Sequence, residues 1–173
     1  MQDILERAKQ IRLVVFDVDG VLTDGSLYLG DDGQEYKAFN SRDGHGITML
    51  QQTGVMLAVI TGRTSEVVRI RMESLGIKYV YQGRRDKMPA FEELKKATGL
   101  SDDQVAYVGD DVVDLPIMRR VGFSIAVADA HPLVQRHAHW QTRSPGGRGA
   151  GRDVCELIME AQGHLGAMME RYL

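Results

Sequence analysis

The sequence predicts an α/β fold built on a three-layer, doubly wound parallel sheet, and three observations carry that expectation. Short apolar runs of strand length alternate with helical segments along the chain, the order expected of successive βαβ units. The runs are continuous, as in Leu13-Val14-Val15-Phe16 and Val105-Ala106-Tyr107-Val108, which strands buried on both faces require. With 173 residues the chain has room for one real core and not for two comfortable ones, so residues 1–173 read as one domain.

Each element has its own signal. Residues 2–10 are charged and amphipathic and read as a lead-in helix, followed by a strand over 12–17. Two alternating runs, Ser26-Leu27-Tyr28-Leu29 and Glu35-Tyr36-Lys37-Ala38-Phe39, flank the turn chemistry of Gly30-Asp31-Asp32-Gly33, so 26–39 reads as a protruding β-hairpin. A helix over 44–53 leads to a buried strand at 55–60. The helix at 64–75 places Val67, Ile70 and Leu75 on one face and stops at Gly76. A short strand at 78–81 precedes a helix over 87–98, with Pro89 in its first turn and Gly99 at its end. Ser101 and Gln104 form a capping box before the strand at 105–108. Residues 112–121 read as helical around Pro116, 123–127 as a strand, 132–137 as a small helix and 139–142 as a last strand. A final helix over 152–172 keeps helical spacing through Val154, Leu157, Ile158, Ala161, Leu165, Met168 and Met169. The glycine-rich stretch 144–151 reads as the chain's one linker, so that residues 145–173 should be removable with the Rossmann-like core intact.

Composition excludes several classes. A formal charge of −3 argues against an electrostatic nucleic-acid binder, which carries a basic face. The lone cysteine, Cys155, rules out an internal disulfide framework, agrees with a reducing compartment and reads as a core residue of the last helix. No apolar stretch approaches the roughly 20 residues that span a bilayer, and the N-terminal residues lack a signal-peptide apolar block. A cytoplasmic protein without a membrane or nucleic-acid partner is expected. The histidines lack metal-ligand spacing, and the methionines read as packing.

The chemistry gathers at strand ends. Asp17 and Asp19 follow the first strand, with Gly20 allowing a turn; Thr61 ends the second; Asp110 and Asp111 end the strand at 105–108, with Asp114 one turn on. Lys87 opens a helix between them. In a parallel sheet these ends share one edge, where open α/β sheets bind ligands. Two carboxylates that close repel and need a cation to stay ionised together, and Mg²⁺ is the natural complement.

In order along the chain, Asp17-x-Asp19-Gly20-x-Leu22-Thr23, Thr61-Gly62, Lys87 and Gly109-Asp110-Asp111-x-x-Asp114 resemble the four motifs of the haloacid dehalogenase superfamily of phosphotransferases. The resemblance implies that Asp17 is a nucleophile forming an acyl phosphate and that Asp19 is the acid and base. An aspartate at the latter position points to phosphoester hydrolysis rather than dehalogenation or ion pumping. It further implies a Mg²⁺ held by Asp17, the Asp19 carbonyl and Asp110. Thr61 and Lys87 would bind the phosphoryl group, and Asp111 and Asp114 would fix Lys87 and metal-bound waters.

Neither inter-motif gap has room for the cap domain that most of the superfamily carries. Further runs are similar to the family of 3-deoxy-D-manno-octulosonate 8-phosphate (Kdo 8-phosphate) phosphatases. They include Gly25–Gly30, Asn40-Ser41-Arg42-Asp43-Gly44-His45-Gly46-Ile47, Ile60–Arg63, Gln82-Gly83, Asp129-Ala130-His131-Pro132 and Gly146-Gly147-Arg148-Gly149-Ala150. That family implies a capless, Mg²⁺-dependent homotetramer of lipopolysaccharide biosynthesis whose neighbouring subunits close the site. The hairpin would build a central barrel, and the 144–151 tail would reach a neighbouring site, although Gly151 stands where the family more often has an aliphatic residue. A sugar acid needs a second cationic site for its carboxylate; Arg63 and Arg71 are the candidates, with Asn40, Ser41, Arg42, Asp43, Gly44 and Thr48 lining the pocket. Two alternatives stand beside this reading. One is a phosphatase for a nine-carbon sugar acid phosphate. The other is a non-catalytic oligomerisation domain, which the presence of both Asp17 and Lys87 opposes.

Overall fold

The computed structural model describes residues 2–173. Six strands form a sheet in the order β5-β4-β1-β6-β7-β8. They are β1 (Leu13–Phe16), β4 (Met56–Ile60), β5 (Tyr79–Tyr81), β6 (Val105–Gly109), β7 (Phe123–Ala126) and β8 (Trp140–Gln141). Every pairing is parallel, as the unbroken apolar runs predict. The hairpin strands β2 (Tyr28–Leu29) and β3 (Glu35–Tyr36) form a separate antiparallel pair. Central β1 lies between β4 and β6, so the first motif emerges between the ends of the two strands that carry Thr61 and Asp110.

Helices α1 (Gln2–Gln10), α2 (Ser41–Gln52) and α7 (Ala150–Ala161) pack on one another. So do α4 (Met88–Thr98), α5 (Leu115–Met118) and α6 (Pro132–His137). Phe16, Phe91, Tyr107 and Phe123 are fully buried in the core. Cys155 is buried there too, and burial pushes its thiol pKa up.

Several elements depart from expectation. Helix α2 begins three residues early because the Asn40 side chain caps it, accepting from the N–H of Arg42 at 2.9 Å and of Asp43 at 3.4 Å. In α3 (Glu66–Ser74) the buried positions are Val68 and Met72, and Ile70 faces solvent, one step off the expected face. The helix expected over 112–121 is a 3₁₀ turn (Val112–Asp114) followed by the short α5. The last helix breaks at Gly163, which takes φ +75°, before α8 (Leu165–Met169) and a 3₁₀ turn (Glu170–Tyr172). The apolar spacing continues across this break and hides it.

The stretch 144–151 is not a linker. The Gly147 N–H donates to Val21 O (2.9 Å), the Gly146 N–H donates to the Asp129 carboxylate (2.8 Å), and Arg148 pairs with Asp24. The segment thus lies on its own chain's first loop. Helix α7, which follows, buries Val154, Cys155, Ile158 and Met159 against α1 and α2. Removing 145–173 would open this core, so the expectation of a dispensable tail is corrected.

Candidate active site

The loop after β1 continues the strand ladder, with the Asp17 N–H donating to Val108 O at 3.1 Å. The loop then closes tightly, the N–H groups of Val21, Leu22 and Thr23 converging on Val18 O. Gly20 takes φ +84°, and a Cβ there would lie 2.1 Å from an Asp110 carboxylate oxygen. Only glycine lets the two acidic strand ends come so close.

Asp114 is the organising anion. It is fully buried, and its Oδ1 accepts from Lys87 Nζ and from the Tyr107 hydroxyl, both at 2.7 Å. Its Oδ2 accepts from the backbone N–H of Asp110 (3.0 Å) and of Asp111 (3.3 Å). Lys87 Nζ also lies 2.9 Å from Asp17 and 3.3 Å from the Tyr107 oxygen. One lysine is thus gripped between two aspartates. Burial opposes its charge, but Asp17 and Asp114 outweigh that and raise its pKa.

Oxygens of Asp17, Asp110 and Asp114 lie within 4.8 Å of one another. Asp114 has its four donors, which leaves Asp17 and Asp110 short of positive charge. Burial drives the Asp17 pKa up to about 7, Lys87 opposing and Asp114 assisting. Burial, with Asp17 and Asp114 adding repulsion, drives Asp110 up to about 8. Two crowded carboxylates that ionise reluctantly fit a hard divalent cation.

These groups face an open cleft of about 910 Å³. Asp19, Thr61 and Arg63 line it beside Asp17, Lys87 and Asp110, as the sequence predicts, and Arg85 joins them unforeseen. Thr61 is buried at the end of β4, its N–H bonded to Tyr81 O at 2.9 Å. Asp111 borders the cleft, but its carboxylate accepts from the Val112 N–H (2.7 Å), capping the 3₁₀ turn. Fixing Lys87 falls to Asp114 and Tyr107 instead.

The expected sugar pocket is mostly elsewhere. Asn40, Asp43, Gly44 and Arg71 surround a separate cavity of about 10 Å³. Asp43 accepts from the Arg152 N–H (2.9 Å), Thr48 donates to Gly44 O (3.0 Å), and Arg71 stacks over Phe39. Ser41 and Arg42 are exposed at the start of α2. The segment packs on α7, so within one chain only Arg63 and Lys87 of the expected substrate contacts reach the cleft.

Besides Arg85, three groups lie outside the expected set. Tyr107 shares a strand face with Gly109, where a Cβ would lie 2.6 Å from that of Asp114; period-2 spacing points to it. Glu35 and Lys37 likewise share a spacing of two. Lys37 Nζ contacts Asp19 and lies 3.2 Å from Glu35, which lies 3.0 Å from Arg63.

Residues 76–149 match the model of haloacid dehalogenase-like hydrolases. The chain is 50% identical over 163 residues to 3-deoxy-D-manno-octulosonate 8-phosphate phosphatase KdsC of Yersinia pestis, covering 94% of this chain and 87% of that protein. A probable YrbI-family phosphatase from Pseudomonas syringae pv. phaseolica superposes with a TM-score of 0.98 at 52% identity, covering 99% of this chain and 98% of that one. The 3-deoxy-D-manno-octulosonate 8-phosphate phosphatase of Moraxella catarrhalis, solved with magnesium ion, phosphate ion and Kdo, gives a TM-score of 0.98 at 40% identity, covering 100% and 99%. Fold and cleft together define a haloacid dehalogenase-like hydrolase. Within that class, the chain belongs to the 3-deoxy-D-manno-octulosonate 8-phosphate phosphatase family.

Proposed function

We propose that this chain is a Mg²⁺-dependent phosphatase hydrolysing Kdo 8-phosphate to Kdo and inorganic phosphate. One observation carries the reading: Asp17 is held by Lys87 beside Asp110 at the open end of the sheet, next to a hydroxyl and an arginine. A Asp17 oxygen attacks phosphorus and the ester P–O bond breaks, the leaving oxygen taking a proton from Asp19. Water then gives its proton to Asp19 and attacks the aspartyl phosphate, breaking the Asp17–phosphorus link and freeing phosphate.

Lys87 neutralises the phosphoryl group while Asp114 and Tyr107 keep it aimed, and Thr61 donates a hydrogen bond to the same group. Asp17, Asp110 and the Asp19 backbone carbonyl would hold the metal. When bound, Mg²⁺ screens the carboxylates from the phosphate and stabilises charge on it. Arg63 is the cleft's candidate for the sugar carboxylate.

The reading extends to assembly and location. The outward side chains of Leu27, Tyr28, Leu29 and Tyr36 are exposed, an apolar surface that supports a homotetramer in which neighbours cover the open cleft. The protein would act in the cytoplasm, in lipopolysaccharide biosynthesis; among the described residues no helix is long and apolar enough to cross a membrane.

The test is phosphate release from a panel of sugar acid phosphates. Turnover of Kdo 8-phosphate that needs Mg²⁺ and drops by roughly 10⁴-fold or more in Asp17→Asn is expected. Equal turnover of eight- and nine-carbon substrates would remove the narrow specificity, and an active Asp17→Asn enzyme would remove the nucleophile.

A further inference from the structure

We propose that Lys37, carried on the hairpin, is the positioning residue for Asp19, so that the hairpin belongs to the proton-transfer apparatus as well as to any assembly. The proposal rests on the reading of Asp19 as acid and base given above.

The hairpin is an unpromising place to bury a charge. Its strands are two residues each, and Tyr28, Leu29 and Tyr36 are more than half exposed. Yet the Lys37 side chain has no exposed surface. A buried ammonium must be paired, and it anchors a loop less favourably than an apolar side chain of the same volume. Both partners of Lys37 are carboxylates, those of Asp19 and Glu35. Glu35 in turn pairs with Arg63 on the cleft wall. Four alternating charges thus tie the hairpin to the loop after β1 and to the end of β4.

Asp19 needs such a tie. Asp17 has its own backbone N–H contact from Val18 (2.7 Å) and Lys87 behind it. Among the described residues, Lys37 alone hydrogen-bonds the Asp19 carboxylate. That carboxylate must meet the leaving oxygen at hydrogen-bond distance in one step and the attacking water in the next. Released from Lys37, it would swing about its side-chain torsions in a wet cleft, and a displacement of about 1 Å can cost about 10²-fold in rate.

Leaving-group dependence separates this role from general damage. An alkyl ester leaves as a poor alkoxide and needs the proton; p-nitrophenolate leaves without it. In Lys37→Met, kcat/KM, which covers the steps up to departure of the leaving group, should fall about 10- to 100-fold on Kdo 8-phosphate and on simple sugar phosphates. On p-nitrophenyl phosphate kcat/KM should fall less than about 5-fold, because that ratio excludes the water step common to both esters. Lys37→Arg should restore most of the alkyl rate. Should Lys37→Met fail to fold, Glu35→Gln, which keeps the lysine and removes its second partner, should show the same contrast at about 3-fold. Parallel loss of kcat/KM on both ester types, or none on either, would overturn the proposal. Failure of the wild-type enzyme on Kdo 8-phosphate alone would fall on the substrate reading, because the alkyl-to-aryl contrast is read equally from the simple sugar phosphates.

Discussion

Lys87 and Lys37 are both buried ammonium groups set against an aspartate of the first loop, but they come from opposite kinds of scaffold. Lys87 stands at the start of α4 among fully buried groups, with Asp114 and Tyr107 behind it. Lys37 arrives on a hairpin whose neighbouring side chains face solvent. The Asp17 half of the site is fixed by the core of a single chain. The Asp19 half hangs on an element with little burial of its own, of the kind that opens locally at low free energy. On the proposed roles, attack on phosphorus is built in, while proton delivery depends on what steadies the hairpin.

The sharpest way to break that comparison is at Lys87. Lys87→Met leaves the Asp114 carboxylate buried with its cation gone and should destabilise the chain by about 3–5 kcal/mol in urea titration. Tyr107→Phe, which removes one hydrogen bond from the same carboxylate, should cost about 1–2 kcal/mol. A smaller effect is expected from protons competing with metal. Because burial drives Asp17 up to about 7 and Asp110 up to about 8, both hold protons more readily than an ordinary carboxylate, and on the proposed site Mg²⁺ must displace them. Calorimetric affinity for Mg²⁺ should therefore weaken by about tenfold as pH falls from 8 to 7 and more steeply from 7 to 6, where two protons are released on binding. The smallest effect on the chain itself belongs to the hairpin's outer face. Leu29→Asp should leave unfolding within about 0.5 kcal/mol of wild type while light scattering shows the proposed tetramer falling to smaller species. An unchanged mass would remove the hairpin from the interface.

Much of this was legible because strand ends in a parallel sheet must share an edge. Asp17, Thr61, Lys87 and Asp110 lie far apart in sequence, yet unbroken apolar runs placed them together. The Asn40–Gly44 segment, expected at the pocket from the family resemblance, packs on α7 within its own chain, Asp43 accepting from the Arg152 N–H; no spacing in the sequence says which way it faces. Lys37 was readable in principle, since Glu35 and Lys37 alternate on one hairpin face, but short exposed strands made that alternation look like surface. At 144–151 the glycines read as flexibility in the sequence. In the fold it marks contact: a Cβ at Gly146 would lie 1.8 Å from Gly20 O, and one at Gly147 would lie 2.3 Å from the Thr23 carbonyl carbon.

That contact has a consequence for the timing of synthesis. The loop bearing Asp17 leaves the ribosome early, but its outer wall is supplied by residues 146–147, made after every strand of the sheet. A nascent chain stalled before that point carries every acidic motif and lacks the backing for the loop that bears Asp17, which is completed only once residues 146–147 have been made.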